Sequence, residues 1–285
     1  MADHKRPSVL ITGCGQGGIG HALSLEFQKQ GYTVITTLLK HESREHLTER
    51  GIHVFSTDVT KDEDVDQLVR DVTDILPSGL DILVNNAGIC YTMTGIDTDV
   101  KEVEKMFAVN VFGPMRMVRY FHPLIIRKGG KIVNVGSVGG IVPYVYGSSY
   151  NASKAALHHW GSTLRVEMKP LGVQVVNIIS GEVSTNILKR DVGRKLPEGS
   201  FYSPMSEEFS NHVGRTPNTT PPEVYARSVV AEVIKPRPQV WFWTGSRVSI
   251  VRYGDMLLPR TFWDWLFSRE FNLKKLELAF ASGSK

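Results

Sequence analysis

A tyrosine and a lysine stand four positions apart, at Tyr150 and Lys154, and in a helix this spacing puts both side chains on one face. A free tyrosine, with a pKa of about 10, is a poor proton donor at neutral pH, and a nearby ammonium group lowers that pKa. Ser137 follows the preceding apolar run and could reach the same substrate oxygen. These residue types suit reversible proton transfer coupled to hydride transfer, although a Tyr–Lys pair alone also fits an ordinary surface face of a helix.

The chain around these residues alternates between strand-like and helix-like segments. Short apolar, β-branched runs predict buried strands, and segments with apolar residues at helical spacing lie between them. This alternation predicts βαβ units, and therefore an α/β fold with a single doubly wound parallel sheet of the Rossmann type and helices on both faces. The predicted strands are 9–11, 33–37, 53–55, 80–84, 131–135, 173–179 and 239–244, and the main predicted helices are 19–30, 62–76, 101–126, 151–169 and 223–234.

A glycine-rich turn, residues 12–20, joins the first predicted strand to the first predicted helix. Glycines let a backbone approach a pyrophosphate closely, and a helix N-terminus offers free N–H groups and a partial positive charge. In this position such a turn indicates dinucleotide binding. We expect Gly13, Gly18, Ile19 and Gly20 to contact the cofactor, and a tight turn without a ligand is the alternative.

The end of the second predicted strand indicates which nicotinamide cofactor binds. An acidic residue there would hydrogen-bond the ribose 2′-hydroxyl of NAD, whereas a cation accommodates the 2′-phosphate of NADP. Lys40 is the nearest cation, and no acid of this segment precedes Glu42. The sequence therefore favours NADP(H) over NAD(H), with a solvated surface lysine as the alternative interpretation of Lys40.

Three further features accompany the tyrosine and the lysine: the glycine-rich turn, a polar segment after the fourth predicted strand, and single polar residues farther along. They are Thr12, Gly13, Gly18, Gly20, Asn85, Asn86, Ala87, Gly88, Asn110 and Ser137. In order and spacing, over about residues 7–185, this set resembles the classical short-chain dehydrogenase/reductase family. The longer glycine turn and the C-terminus are most similar to a fungal branch that includes 1-acyldihydroxyacetone-phosphate reductases, and hydroxysteroid dehydrogenase-like ketoreductases are the next resemblance.

The resemblance implies a role for each catalytic residue. Tyr150 would be the general acid in reduction and the base in oxidation. Lys154 would bind the nicotinamide ribose and lower the pKa of the tyrosine. Ser137 would orient the substrate oxygen, and Asn110 would hold a water that links Lys154 to solvent.

The same resemblance implies further cofactor contacts. They are Asn86, Ala87 and Gly88 on the adenosine side, Asp58 and Val59 at the adenine, and Val183 and Thr185 at the nicotinamide carboxamide. Two departures from the family pattern stand out. The glycine turn is one residue longer, so residues 15–17 have no assigned contact. Ser180 stands where the family usually has proline, which leaves that turn less rigid.

We expect residues 1–245 to form the dinucleotide-binding and catalytic domain, with a Gly-, Pro- and Ser-rich lid at 181–222. Apolar side chains at 142–146 and in the lid predict a hydrophobic substrate, unless they pack on each other. Residues 246–285 form an aromatic and basic C-terminal extension, which could lie on a membrane surface, cap the substrate pocket or pack between subunits.

The composition excludes several other classes of protein. The chain has 285 residues with a net charge of +4 and no long basic run, so we expect no nucleic-acid partner. Adjacent histidines His158 and His159 point to different sides of a helix, so we expect no metal site. Two cysteines and a polar N-terminus favour a cytoplasmic protein, peripheral at a membrane if the extension binds lipid. We also expect a homo-oligomer.

The leading hypothesis is an NADPH-dependent oxidoreductase that interconverts a ketone and a secondary alcohol on a lipid-, steroid-, polyketide- or terpenoid-like molecule. The hydride would come from the nicotinamide and the proton from Tyr150. One alternative keeps the fold for a non-redox step of secondary metabolism, such as cyclisation or epimerisation. Another is the reduction of 1-acyldihydroxyacetone phosphate at a membrane surface, and a third is a dinucleotide sensor or scaffold without chemistry.

Overall fold

The computed structural model describes residues 6–215 and 219–283, without the side chains of residues 188–190. Parts of the predicted lid 181–222, and the outer ends of the predicted domain 1–245 and extension 246–285, therefore lie outside the described residues. Within the described part of the chain, no helix is long and apolar enough to cross a membrane.

Seven strands in the described residues form one parallel sheet, in the order β3-β2-β1-β4-β5-β6-β7. The order reverses between β1 and β4, so the connections leave opposite sides of the sheet and open a crevice at the carboxyl ends of these strands. This confirms the predicted doubly wound α/β fold. The strands are β1 Ser8–Ile11, β2 Thr33–Leu38, β3 His53–Ser56, β4 Ile82–Asn85, β5 Lys131–Val135, β6 Gln174–Ser180 and β7 Trp241–Thr244.

Helices cover both faces of the sheet and continue into the C-terminal extension. Those of the sheet region are α1 Ile19–Lys29, α2 Glu45–Thr48, α3 Asp62–Ile75, α4 Val100–Phe107, α5 Gly113–Lys128, α6 Ser148–Met168, α7 Ser206–Gly214 and α8 Pro222–Val233. The extension forms α9 Val248–Leu257, α10 Thr261–Glu270 and α11 Leu273–Ala281. Short 3₁₀ turns occupy Val138–Gly140, Lys169–Leu171, Asn186–Asp191 and Ser203–Met205.

Two apolar layers pack the sheet, because side chains alternate between the faces of each strand. Val9 and Ile11 of β1 face α1 and α8, where Phe27 and Tyr225 are buried. Leu10, between them, faces the opposite layer, which α3, α5 and α6 cover. The near-continuous burial of the strands explains why their sequences are apolar without polar alternation.

The predicted helix 101–126 is interrupted. Between α4 and α5 lies a π-helical segment, Ala108–Phe112, in which the Gly113 N–H donates to the carbonyl of Ala108, five residues earlier. Pro114 has no N–H and cannot donate to the carbonyl of Asn110, so a regular α-helix would lose a hydrogen bond and meet the proline ring at this point. The long helical pattern predicted over 101–126 is therefore present but is not one regular α-helix, and the π-helical segment contains the predicted catalytic residue Asn110.

A third apolar cluster lies beside the carboxyl ends of the strands. Its centre, which we call the aromatic cluster, is Tyr144, Tyr146, Phe209, Phe267 and Phe271. The ring centroids of Tyr144 and Phe271 lie 5.1 Å apart, and those of Tyr146 and Phe209 lie 5.2 Å apart. Loop 144–146, the lid helix α7 and the extension helix α10 thus share one core, so the extension packs against the predicted catalytic domain.

Candidate active site

The carboxyl ends of β4, β5 and β6 face the N-terminal half of α6, which carries Tyr150 and Lys154 on one side. Lys154 is buried, and its Nζ donates to the carbonyl of Val135 at the end of β5, at 2.9 Å. The same Nζ lies 5.8 Å from the centroid of the Tyr150 ring. The helical spacing predicted for this pair therefore brings both groups to the end of β5.

Ser137 lies two residues after β5, close to the Tyr150 ring: a Cβ on Gly139 would lie 3.4 Å from the Ser137 Oγ and 3.5 Å from the Cε1 of Tyr150. The Ser137 Oγ also accepts the N–H of Gly139 at 3.1 Å, which holds the start of the 3₁₀ turn 138–140. The structure thus brings together the three side chains that sequence spacing singled out. Their catalytic roles stay predictions.

Burial shifts the pKa values of the two titratable groups in opposite directions. It raises the pKa of Tyr150 to about 12, with a contribution in the same direction from Cys90 and a lowering effect of the neighbouring Ser137 hydroxyl. It lowers the pKa of Lys154 to about 8. The phenol therefore stays protonated at neutral pH. Its pKa lies above the ordinary value, whereas the charge of Lys154 alone would lower it.

Asn110 lies in the π-helical segment and is completely buried. Its Oδ1 accepts the N–H of Ile89, and its Nδ2 donates to the carbonyl of Ile89, both at 2.9 Å. The same Nδ2 donates to Ser153 Oγ at 3.1 Å. The Asn110 side-chain amide thus ties the segment after β4 to α6, and its water-holding role stays a prediction.

The glycine-rich turn is fastened to the end of β4. Asn86 Nδ2 donates to the carbonyls of Thr12 and Gly13, both at 2.8 Å, while Thr12 Oγ1 accepts the N–H groups of Asn86 and Ala87. Gly13 has a φ of +69°, and a Cβ there would lie 2.7 Å from the Cα of Ala87. Only glycine fits this close approach, which joins two predicted cofactor segments across the switch point of the sheet.

The N-terminus of α1 suits a dinucleotide pyrophosphate. The helix starts at Ile19 after Gly18, and in the described residues no side chain caps it and no acid lies in its first turn. Its first N–H groups therefore point to the crevice without a side-chain acceptor. A Cβ at Gly20 would overlap the carbonyl of Gly13, so the turn packs as closely as phosphate binding requires. The residues present fit a nicotinamide dinucleotide.

The turn after β2 holds both a cation and an acid. Lys40 is exposed. The Glu42 carboxylate accepts the N–H of Leu39 at 2.7 Å and lies 2.8 Å from the place of a Cβ on Gly15. Glu42 thus reaches the glycine-rich turn from beyond the end of β2, so the absence of an acid at the strand terminus does not exclude a carboxylate beside this turn.

The other predicted cofactor residues lie along the same edge of the sheet. Asp58 Oδ1 accepts the N–H and hydroxyl of Thr60, so it shapes the turn before α3. Val59 is buried next to Gly113. Val183 is buried and forms a bridge with Thr220, and Thr185 is partly exposed after it. A Cβ on Gly88 would lie 3.3 Å from the Asn110 Oδ1 and 3.7 Å from the Lys154 Nζ.

Two contacts fasten the first part of the lid across the crevice. Asn186 Nδ2 donates to the carbonyl of Gln16 in the glycine-rich turn at 3.0 Å. Asp191 is buried, where it accepts the N–H of Thr92 at 3.0 Å and pairs with Arg194 at 2.8 Å. Sequence patterns offer no reason to place these lid residues at the site and assign no role there to Glu42 and His158, because no local pattern distinguishes them from surface residues.

The parallel sheet with its switch point, the uncapped glycine-rich helix start and the grouped Ser, Tyr and Lys side chains define a dinucleotide-dependent oxidoreductase. The family model for short chain dehydrogenases matches residues 7–195. The chain belongs to the short-chain dehydrogenase family and is an oxidoreductase, as the sequence resemblance predicted. Membership of this family supports a nicotinamide cofactor.

Fungal relatives and a solved bacterial structure resemble most of the chain. The short-chain dehydrogenase anuB of Penicillium roqueforti is 63% identical over 91% of this chain and 92% of its own length. An NADPH-dependent 1-acyldihydroxyacetone phosphate reductase of Schizosaccharomyces pombe is 36% identical over 89% of this chain and 90% of its own. A short-chain dehydrogenase from Streptomyces avermitilis superposes with a TM-score of 0.75 and 25% identity, covering 97% of this chain and 98% of that one.

Proposed function

We propose that the protein reduces a ketone on a hydrophobic molecule to a secondary alcohol, or oxidises the alcohol, with NADP(H) as cofactor. The observation that carries the proposal is that the Ser137 and Tyr150 side chains lie together beside Gly139, between two surfaces. On one side lies the crevice of the sheet, and on the other lies the third apolar cluster, whose centre is the aromatic cluster and against which Tyr150 packs. A carbonyl between these surfaces would meet both hydroxyls.

The bound nicotinamide would supply or accept the hydride. In reduction, Tyr150 donates its proton to the substrate oxygen, because burial keeps the phenol protonated until that oxygen gains charge. Ser137 holds the same oxygen by a hydrogen bond. The Lys154 ammonium lies beside the phenol and stabilises the phenolate that remains. A water on the carbonyl of Asn110, to which Pro114 cannot donate, would return the proton from solvent.

The preference for NADP(H) is supported by Lys40 and by the 36% identical relative from Schizosaccharomyces pombe, which is an NADPH-dependent reductase. Glu42 acts against it, because its carboxylate at Gly15 would repel a 2′-phosphate placed nearby. We propose that the enzyme uses NADPH in preference to NADH, and that the charge of Glu42 makes this preference smaller.

The hydrophobic substrate is supported by the composition of the wall beside Tyr150. Val142, Tyr146 and Phe209 are buried and pack within the cluster. The apolar surface that remains for a substrate therefore comes from partly exposed residues that pack against it, which are Ile141, Val145 and Tyr202. Such a wall offers much apolar contact and few polar groups, as in pockets for apolar ligands. The fungal dehydrogenases to which the chain is similar carry no substrate in their names.

A panel of lipid, steroid, polyketide and terpenoid ketones, assayed with NADPH and NADH in parallel, tests the proposal. We expect consumption of one NADPH per alcohol formed and weak activity on small hydrophilic ketones. Product formed without NADPH consumption would instead support the non-redox alternative of cyclisation or epimerisation. Equal efficiency on small hydrophilic ketones would contradict the hydrophobic substrate.

A lipid surface is a second candidate location, supported by the outer side of α9. Its residues Ile250, Tyr253, Met256 and Leu257 are exposed and apolar, and Arg252 lies among them. Such a face suits the interface of a membrane, where a reductase of acyl substrates would work. Flotation with anionic phospholipid vesicles should weaken in the double variant Met256→Ser, Leu257→Ser, and unchanged flotation would contradict this candidate. The expected cytoplasmic location and homo-oligomer stay predictions, and light scattering tests the latter.

A further inference from the structure

His158 lies one helical turn beyond Lys154 on α6, and only 2% of it is exposed. Its ring lies against the loop that carries Ser137. The His158 Nε2 accepts the backbone N–H of Ser137 at 3.2 Å. This is a directed contact between a buried histidine and the main chain of a predicted catalytic residue.

The loop is shaped to admit this ring. A Cβ on Gly136 would overlap Nε2 of His158, and one on Gly140 would lie 2.7 Å from its Cε1. Both glycines flank Ser137 at short range, so the ring occupies space that any other residue type would fill. The absence of side chains at Gly136 and Gly140 therefore leaves the space that the His158 ring of α6 occupies.

The histidine is held in one protonation state. Because Nε2 accepts a hydrogen bond, the ring proton lies on Nδ1, which has no hydrogen-bond partner in the described part of the chain. Burial, aided by the charge of Lys154, lowers the pKa of His158 to about 3. The ring is therefore neutral and keeps an acceptor at Nε2 throughout the physiological pH range.

Other contacts fix the position of the ring relative to the sheet. Asn177 Nδ2 donates to the carbonyl of His158 at 3.1 Å. Asn134 Nδ2 donates to Asn177 Oδ1, and Asn85 Nδ2 donates to Asn134 Oδ1. These three residues, which we call the asparagine ladder, link β4, β5 and β6. The Trp241 ring lies 5.6 Å from the histidine ring between centroids. The sheet thus fixes the position of His158, and His158 in turn holds the loop that carries Ser137.

We propose that His158 is a positioning residue, whose Nε2 holds the Ser137 backbone so that the Ser137 hydroxyl meets the Tyr150 phenol and the substrate oxygen. The inference rests on the proposed function, since it acts through Ser137. A histidine that only filled space would need no acceptor directed at this N–H. Loss of the acceptor leaves a backbone donor unpaired and frees the loop, which misplaces the hydroxyl.

The test compares His158→Leu with His158→Gln, whose Oε1 can accept the Ser137 N–H, and with the exposed neighbour His159→Leu as the matched control. We expect His158→Leu to lower kcat about 10- to 100-fold with an unchanged dissociation constant for NADPH. His158→Gln should recover most of kcat, and His159→Leu should match the wild type. Wild-type kcat in His158→Leu, or equal losses in the leucine and glutamine variants, would overturn the proposal.

A second measurement needs neither a folded leucine variant nor a known substrate. In the wild-type protein the ¹⁵N shift of His158 Nε2 should be that of an unprotonated acceptor, and the Ser137 amide should exchange slowly with solvent. A protonated Nε2 or a rapidly exchanging Ser137 amide would overturn the inference. If these signals are as expected but no ketone is reduced, the proposed function fails while the hydrogen bond stands.

Discussion

The two surfaces that meet at Tyr150 are built by different interactions. Behind α6, the asparagine ladder and His158 are buried polar groups whose hydrogen bonds define positions. On the substrate side, the aromatic cluster joins loop 144–146, the lid and the extension by ring contacts, with few directed bonds. Hydrogen bonds lose their energy over small displacements, whereas apolar contacts tolerate rearrangement. We therefore expect the polar side to control chemistry and the aromatic side to control substrate choice and stability.

The largest effect should follow Tyr150→Phe. The variant removes the proton donor but keeps the ring that packs against the third apolar cluster. We expect turnover to fall by about 10²- to 10⁴-fold, while cofactor binding and the melting temperature hardly change. Steady-state kinetics and fluorescence titration with NADPH measure both. Tyr253→Phe, at an exposed position, is the control, and wild-type turnover in Tyr150→Phe would remove the assigned acid.

Phe271→Ala should have the opposite profile. Its ring contacts Tyr144 and Tyr146 in the aromatic cluster, so truncation leaves a cavity between the loop and the extension. We expect a loss of about 3 kcal/mol in the free energy of unfolding and a raised KM for the hydrophobic substrate, with a smaller change in kcat. Denaturant unfolding and kinetics test this, with the exposed Phe280→Ala as control. A large fall in kcat at unchanged stability would contradict the division between the two sides.

The buried lysine should make stability depend on pH. Burial lowers the pKa of Lys154 from its ordinary 10.5 to about 8. Between these values the unfolded chain binds more protons at this residue than the folded one, so its contribution to stability rises with pH. The wild type should therefore gain stability relative to Lys154→Met as pH rises from 8 toward 10.

Thermal unfolding at several pH values measures this gain, and Lys274→Met at an exposed position should run parallel to the wild type. Parallel curves for the wild type and Lys154→Met would show that the Lys154 ammonium is not destabilised by burial.

The smallest effect concerns the cofactor. Glu42→Gln removes a negative charge beside Gly15 but keeps an acceptor for the Leu39 N–H. We expect the ratio of kcat/KM for NADPH over NADH to rise about fivefold, which is the size expected for a partly exposed charge. Glu45→Gln, an exposed acid on α2, is the control. A fall in the ratio would show that Glu42 does not face the 2′ position.

Much of the fold follows from short-range patterns. The apolar runs of the strands, the glycines of residues 12–20 and the helical spacing of Tyr150 and Lys154 depend on neighbours within a few residues, and the structure has these elements within a few residues of the predicted bounds. The interruption of the helix around Asn110 also has a local cause in the sequence, which is Pro114. It was missed because a helical pattern of apolar residues continues through it.

Other features depended on contacts between distant segments. Glu42 against Gly15, Asp191 against Thr92 and the extension against loop 144–146 join residues that no periodicity relates. The direction of the Tyr150 pKa shift could not be predicted from the sequence either. The helical spacing shows that Lys154 is a neighbour, but it does not show that burial desolvates the phenol and raises its pKa.

The sequence by itself determined the class of fold, the family, and the residue types that could carry the chemistry, since these depend on local pattern and order along the chain. Only the tertiary structure decided that His158 faces the backbone of Ser137, and that the extension shares a core with the lid. The physical reason is that burial and hydrogen-bond direction arise when α6, the sheet and the extension pack together. A histidine on a helix has no defined partner until that packing supplies one.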